Sequence, residues 1–130
     1  MNYYELLIRR SRNTGGGGGT ITFPESFSVT ACDNPNAVGK YTKITSTTTV
    51  NGTDYPVYRY THPSPMIGSF YIYVCQYRMG SSGVFWTLKA GSYSATDEGY
   101  SGLGSVAAGA DGLPSSTTWT ASGVTSTVSW

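Results

Sequence analysis

With 130 residues, 12% of them charged and a formal net charge of +1, the chain is sized for one domain with a modest core. That balance argues against a nucleic-acid partner, and no stretch is long and apolar enough for a membrane span. Aromatics reach 14%, with 11 tyrosines on a Ser/Thr-rich background containing 17 glycines, a bias toward strands and turns.

Five consecutive glycines, Gly15, Gly16, Gly17, Gly18 and Gly19, divide the chain into an N-terminal arm (1–14), a hinge-like linker (15–19) and a body (20–130). In the arm, Tyr4, Leu6 and Ile8 alternate with Tyr3, Glu5 and Leu7, which is a strand pattern. A lone strand is not stable in water. Burying its large apolar side chains gains roughly 8–12 kcal/mol, and ordering the segment costs as much or more. The balance closes only if the backbone also pairs with a sheet edge, as in donor-strand addition. Arg9, Arg10 and Arg12 make the arm basic while the body leans acidic, which suits mutual docking. Tyr3, Tyr4, Leu6, Leu7, Ile8, Arg9 and Arg10 are thus the expected assembly arm. No secretory signal is visible, since Leu6-Leu7-Ile8 is short for an apolar core and arginines follow rather than precede it.

In the body, Thr20 to Phe23 predicts a short strand stopped by Pro24, and Ser26 to Thr30 a second with Phe27 and Val29 on one face. Asp33-Asn-Pro-Asn36 reads as a turn. Lys40 to Val50 is a β-branched run, and Asn51-Gly52 is the strongest hairpin signal in the chain. Tyr55 to Tyr60 is the return strand, with Pro56 marking an edge or a strand start. A rigid loop at His62 to Pro65 precedes Phe70 to Tyr77, which is apolar on both faces and so central. Met79 to Gly83 predicts a turn and Val84 to Leu88 the next strand. Gly91 to Gly112 reads as a surface excursion holding one short strand, after which Leu113-Pro114 leads to Trp119. Val124 to Trp130 alternates cleanly as the closing strand. The expectation is an all-β fold, an antiparallel β-sandwich or barrel-like domain of about seven or eight strands with an extended N-terminal arm.

Chemistry-bearing constellations are sparse. His62, the single histidine, stands beside no recognisable nucleophile or orienting group. Asp97-Glu98 sits in a turn composition, as do Asp33, Asp54 and Asp111, and all read as solvated turn carboxylates. No Cys/His cluster has zinc spacing and no phosphate loop follows the glycines, so neither an enzyme, a metal nor a cofactor is expected. Cys75 lies in an apolar run and reads as a buried thiol, with a disulfide to Cys32 the alternative. Exposed tyrosines stack on sugar rings, and Tyr58, Tyr60, Tyr93 and Tyr100 are the candidates for that role against the competing reading of core filling. Asn51-Gly-Thr53 is a formal glycosylation sequon at a hairpin tip.

The order Gly39-Lys-Tyr41, Asn51-Gly with Pro56-Val-Tyr58, Phe70-Tyr-Ile-Tyr73, Phe85-Trp-Thr-Leu88, then Pro114 and Trp119 resembles small β-rich modules in tail fibres and other structural proteins of tailed phages and in related uncultured microbial fibre proteins. The resemblance covers about two thirds of the chain. It departs at Thr53-Asp54-Tyr55, inserted after the Asn-Gly, and at a longer His62 to Met66 loop. The resemblance implies a structural or appendage role and carries no catalytic residue. The expected function is a non-enzymatic subunit of an extracellular fibre or virion appendage, polymerising head-to-tail through its arm. The alternative is a carbohydrate-binding or adhesion module on a larger appendage.

Overall fold

Asn51 and Gly52 both take positive φ, +52° and +80°, the type I′ geometry whose twist matches the strands it joins. Met79 and Gly80 repeat it with +52° and +84°. These two-residue turns close two of the hairpins in a computed structural model that describes residues 21–99 and 102–130. The strands are β1 (Ser26–Cys32), β2 (Gly39–Val50), β3 (Thr53–Thr61), β4 (Ser69–Arg78), β5 (Ser81–Ala90), β6 (Gly104–Ala107), β7 (Thr118–Ala121) and β8 (Val124–Ser129). Each is antiparallel to the next, and β8 pairs back onto β1, closing an eight-stranded barrel in chain order.

Closure puts the β1–β2, β3–β4, β5–β6 and β7–β8 connections at one end of the barrel. The other end carries Ile21–Glu25, the two type I′ turns, residues 108–117 and Trp130. This is the entry end, where Ile21–Glu25 lead into β1.

Eight strands leave an interior that side chains can just fill, or that can hold one small ligand. Here rings fill it. Phe27 lies 4.7 Å from Tyr58, 5.3 Å from Trp86 and 6.1 Å from Trp119, centroid to centroid. Ile72, Val74, Leu88 and Val128 complete the packing. The polar tips of the rings anchor the connections. Trp86 Nε1 donates to the Gly112 carbonyl (2.9 Å), Trp119 Nε1 to Ser116 (2.9 Å), and the Tyr58 hydroxyl to Pro24 (2.6 Å). At the opposite end the Tyr41 hydroxyl donates to Ala37 (2.6 Å).

Register breaks adjust which side chains face inward. Lys43 pairs with Tyr58 but Thr47 with Pro56, so β2 carries extra residues between them. Across this irregularity the alternation of both strands changes phase, so Tyr41 and Val50 on β2, and Tyr55 and Tyr58 on β3, join the same core at odd spacings. Pro56 lies within β3, between β2 and β4, and not on an open edge or at a strand start. The β3–β4 ladder runs only from Tyr58↔Ile72 to Thr61↔Ser69. Extending that register would set Pro56 against Val74, and proline has no N–H to offer. The Val74 carbonyl instead accepts the Thr48 hydroxyl at 2.7 Å.

β4 is buried on both faces, as its apolar run predicts. Its outer residues Tyr73 and Cys75 form a second cluster with Val57, flanked by Ile44, Tyr71, Phe85 and Tyr93. Residues 91–99 lie over this cluster, tied by Gln76 N–H to Ala95 O (2.9 Å) and by a Tyr77–Glu98 bridge. Both cysteines are free, Cys75 buried and Cys32 half-buried.

Three further sequence expectations are corrected. Ile21–Pro24 is not a strand; Phe23 packs edge-on against Tyr55 and Trp86 and caps the barrel, while Pro24 takes the Tyr58 hydroxyl. The strand at Thr118–Ala121 was not anticipated, since its four residues hold only Trp119 and Ala121 as inward groups. The Met79 turn is two residues, and β5 starts at Ser81 rather than Val84.

Candidate functional site

The tyrosines separate by face. Tyr58 has no exposed surface and its hydroxyl is held by Pro24, so it is a core residue and not a sugar platform. Tyr60 is half-buried against Tyr41 (5.5 Å) and Phe70 (6.4 Å), bracing the end of the barrel opposite the entry end. Tyr93 is also half-buried, and it meets Tyr71 on the outer face at 4.9 Å with a 54° tilt. Tyr100 and the whole arm and linker, residues 1–19, lie outside the described residues.

Around Tyr71 the register builds a charged row that sequence reasoning missed. Arg59 on β3 pairs with Tyr71 on β4, which pairs with Lys89 on β5, so the three side chains stand abreast on the outer face. Lys89 Nζ lies 3.3 Å from Asp97 Oδ2, which also accepts the Tyr73 hydroxyl at 2.7 Å. Asp97 is therefore a half-buried anchor for the 91–99 loop and not a solvated turn carboxylate. Burial, and then the bond to Asp97, push the Tyr73 phenol well above the usual tyrosine range. The signal in the sequence was only the odd-even alternation of Tyr71, Tyr73, Phe85, Thr87 and Lys89, which says which residues share a face but not which strands adjoin.

The other carboxylates and His62 work locally. Asp33 accepts the Thr125 N–H (2.9 Å), Asp54 the Thr49 hydroxyl, and Asp111 the Leu113 N–H (3.0 Å). His62 Nδ1 accepts the Ser64 N–H at 3.0 Å, a turn role. A buried polar chain runs from Cys75 Sγ to Thr87 Oγ1 (3.3 Å) to Ser105 Oγ (3.3 Å). Burial pushes the Cys75 thiol up, so it is a poor nucleophile. Among the described residues no group of three metal-binding side chains comes together, and no helix is long and apolar enough to cross a membrane. Asn51 is exposed at its hairpin tip.

At the entry end lies an open groove of ≈ 370 Å³ with an apolar lining that includes Ile21, Tyr55, Val84, Phe85, Ala107 and Ala110. Its floor is fixed by the Trp86–Gly112 bond and by Ala108 N–H to Val84 O (2.9 Å). Ile21 is the first described residue, and it sits so close that a Cβ on Gly112 would meet its δ carbon at 2.9 Å. The barrel is not flush here. β6 pairs with β5 only from Phe85 to Leu88 and then turns away through Gly109. Ser81–Gly83 of β5 thus extend past β6 and meet no strand partner on that side among the described residues.

Compared with family models, curated proteins and solved structures, the chain matches none of them. The functional reading therefore rests on the residues and the geometry.

Proposed function

We propose that the protein is a non-enzymatic structural subunit of an extracellular fibre or virion appendage, assembled when the arm of one copy docks on the barrel of another. The observation that supports this reading is where the chain enters. A basic, apolar-alternating arm on five glycines leads directly into Ile21, which lines an apolar groove beside the overhanging end of β5. A strand added there gains ladder hydrogen bonds as well as apolar contact. Head-to-tail contact of this kind gives a ring if the rotation closes and a helical fibre if it does not. Negative-stain images and mass distributions of the full chain, beside a chain lacking residues 1–12, test it. The full chain is expected to form rings or filaments and the shortened one a folded monomer; polymers from the shortened chain would sink the reading.

A second reading, a carbohydrate-binding module, draws on the Tyr71–Tyr93 pair flanked by Arg59 and Lys89. Partly exposed rings beside the exposed Arg59 suit sugars carrying carboxylates, whereas Lys89 is already engaged by Asp97. Saturable binding on a glycan array, lost in Tyr71→Ala, is the expected mark of this role, and an array without hits removes it.

A further inference from the structure

The structure narrows how such an arm is received, and the following rests on the assembly reading. We propose that the entry-end groove is the seat of residues 3–8. A copy's own arm fills it when the protein is dilute, and a neighbour's arm fills it in the polymer.

Three features of the groove select this occupant. Its volume of ≈ 370 Å³ lies near the lower end of the ~300–1,000 Å³ typical of ligand clefts, room for one face of a short strand and not for a domain. Tyr4, Leu6 and Ile8 form such a face, and seating Leu6 and Ile8 is the kind of burial that favours ordering. The backbone of Ser81–Gly83 then offers the ladder that a lone strand requires, and the Phe85 ring, which lies 3.0 Å from where a Gly83 Cβ would be, adds apolar surface beside it. Charge agrees. No lysine or arginine lines the groove, Asp111 stands on its rim between two lining residues, and Asp54 adjoins the lining Tyr55. Arg9 and Arg10 follow the apolar face immediately, so they arrive where carboxylates are exposed.

Tether length decides between the two topologies. Residues 9–20 number twelve, half of them glycine or serine, and a flexible chain of that length has a root-mean-square span of roughly 17–21 Å. Because Ile21 is already at the groove, a copy's own arm competes at an effective concentration on the order of millimolar. Isolated subunits are thus self-capped, and polymerisation exchanges one identical contact for another, as in domain swapping. Crowding at a growing end, where local subunit density is high, favours the exchanged form.

Photo-crosslinking of the full chain with benzoylphenylalanine in place of Leu6 tests this at two concentrations. Dilute protein is expected to give a monomer-mass adduct, and assembled protein a ladder, both joined to peptides containing residues 81–86 or 107–112. A second variant, Ala107→Arg with Ala110→Arg, blocks the groove at two exposed positions. It is expected to abolish these adducts and raise the concentration needed for assembly by more than ~10-fold, about 1.4 kcal/mol. Adducts mapping elsewhere, or wild-type assembly by a blocked variant whose circular dichroism and melting are unchanged, would overturn the groove as the seat. The outcomes separate the two readings. Arm-dependent filaments with adducts elsewhere leave the assembly reading intact and remove the groove, whereas groove adducts in a protein that never assembles do the reverse.

Discussion

Gly39 is the sharpest test of the packing argument. A Cβ built on it would lie 2.5–2.8 Å from three ring carbons of Tyr60, closer than real contacts allow. Tyr60 cannot swing away freely, because it is wedged between Tyr41 and Phe70. Gly39→Ala should therefore cost about 1–3 kcal/mol through overpacking, reduced by about 0.4–1 kcal/mol because alanine restricts the unfolded chain. A net loss of about 0.5–2 kcal/mol would lower the urea midpoint by a few tenths of molar to about 1 M. The discriminating measurement is a double-mutant cycle by urea titration. With Tyr60→Ala in place the clash is gone, so Gly39→Ala should become neutral or slightly stabilising. The expected coupling is about 1–3 kcal/mol. Additivity within about 0.5 kcal/mol would refute the claim that the Tyr60 ring covers this backbone position.

Other expectations follow from single contacts. Thr48→Val should cost about 1–3 kcal/mol, since it leaves the buried Val74 carbonyl without the hydroxyl that replaces a Pro56 N–H; a urea midpoint equal to wild type would contradict that. Met79 occupies the left-handed region at φ +52°, a position that suits asparagine, so Met79→Asn should stabilise by about 0.5–1 kcal/mol in the same assay. Burial raises the Cys75 thiol and the Tyr41, Tyr58 and Tyr73 phenols. The folded state keeps these protons where the unfolded chain releases them, so this stability is whole at neutral pH. It should fall as pH rises above about 8.5 for the thiol and about 10 for the phenols. A tyrosinate titration at 295 nm should then show a group of phenols ionising only together with unfolding, and a single smooth titration of all the tyrosines before unfolding would count against it.

Local rules carried much of the fold. Asn51-Gly52 was readable because one dipeptide meets the demand for two positive φ angles, and the Phe70–Tyr77 run because both of its faces are covered. The choice between sandwich and barrel was not readable. It depends on β1 meeting β8, where Val29 pairs with Val128 from opposite ends of the body, and no local pattern encodes that. The Thr20–Phe23 strand failed for a related reason. Alternation was present, but Phe23 and Pro24 are consumed as a cap on Tyr55, Trp86 and Tyr58, leaving no neighbour to pair with. At the candidate surfaces, Tyr58 and Tyr93 look alike as residues and part only by the face they occupy. The Arg59–Tyr71–Lys89 row exists only through the register of three strands.

Barrel closure also sharpens what assembly by strand addition requires. An open sandwich presents whole edge strands, and almost any of them could receive an arm. In a closed barrel the ladder hydrogen bonds are spent around the circumference, so an incoming strand must find a place where two neighbours part. The β3–β4 ladder parts below Tyr58, but Thr48 already answers Val74 there. The β6–β7 seam is thin, with Ser105↔Thr120 as its strand pair, yet Arg78 spans that region by donating to the Thr120 carbonyl (3.1 Å) and hydroxyl (3.0 Å). Beyond β6, the end of β5 borders an apolar groove, and the chain's own N-terminal segment arrives at the same place. If assembly proceeds by strand addition, the fold therefore favours that overhang, and a blocked groove should matter more than any change on the barrel's sides.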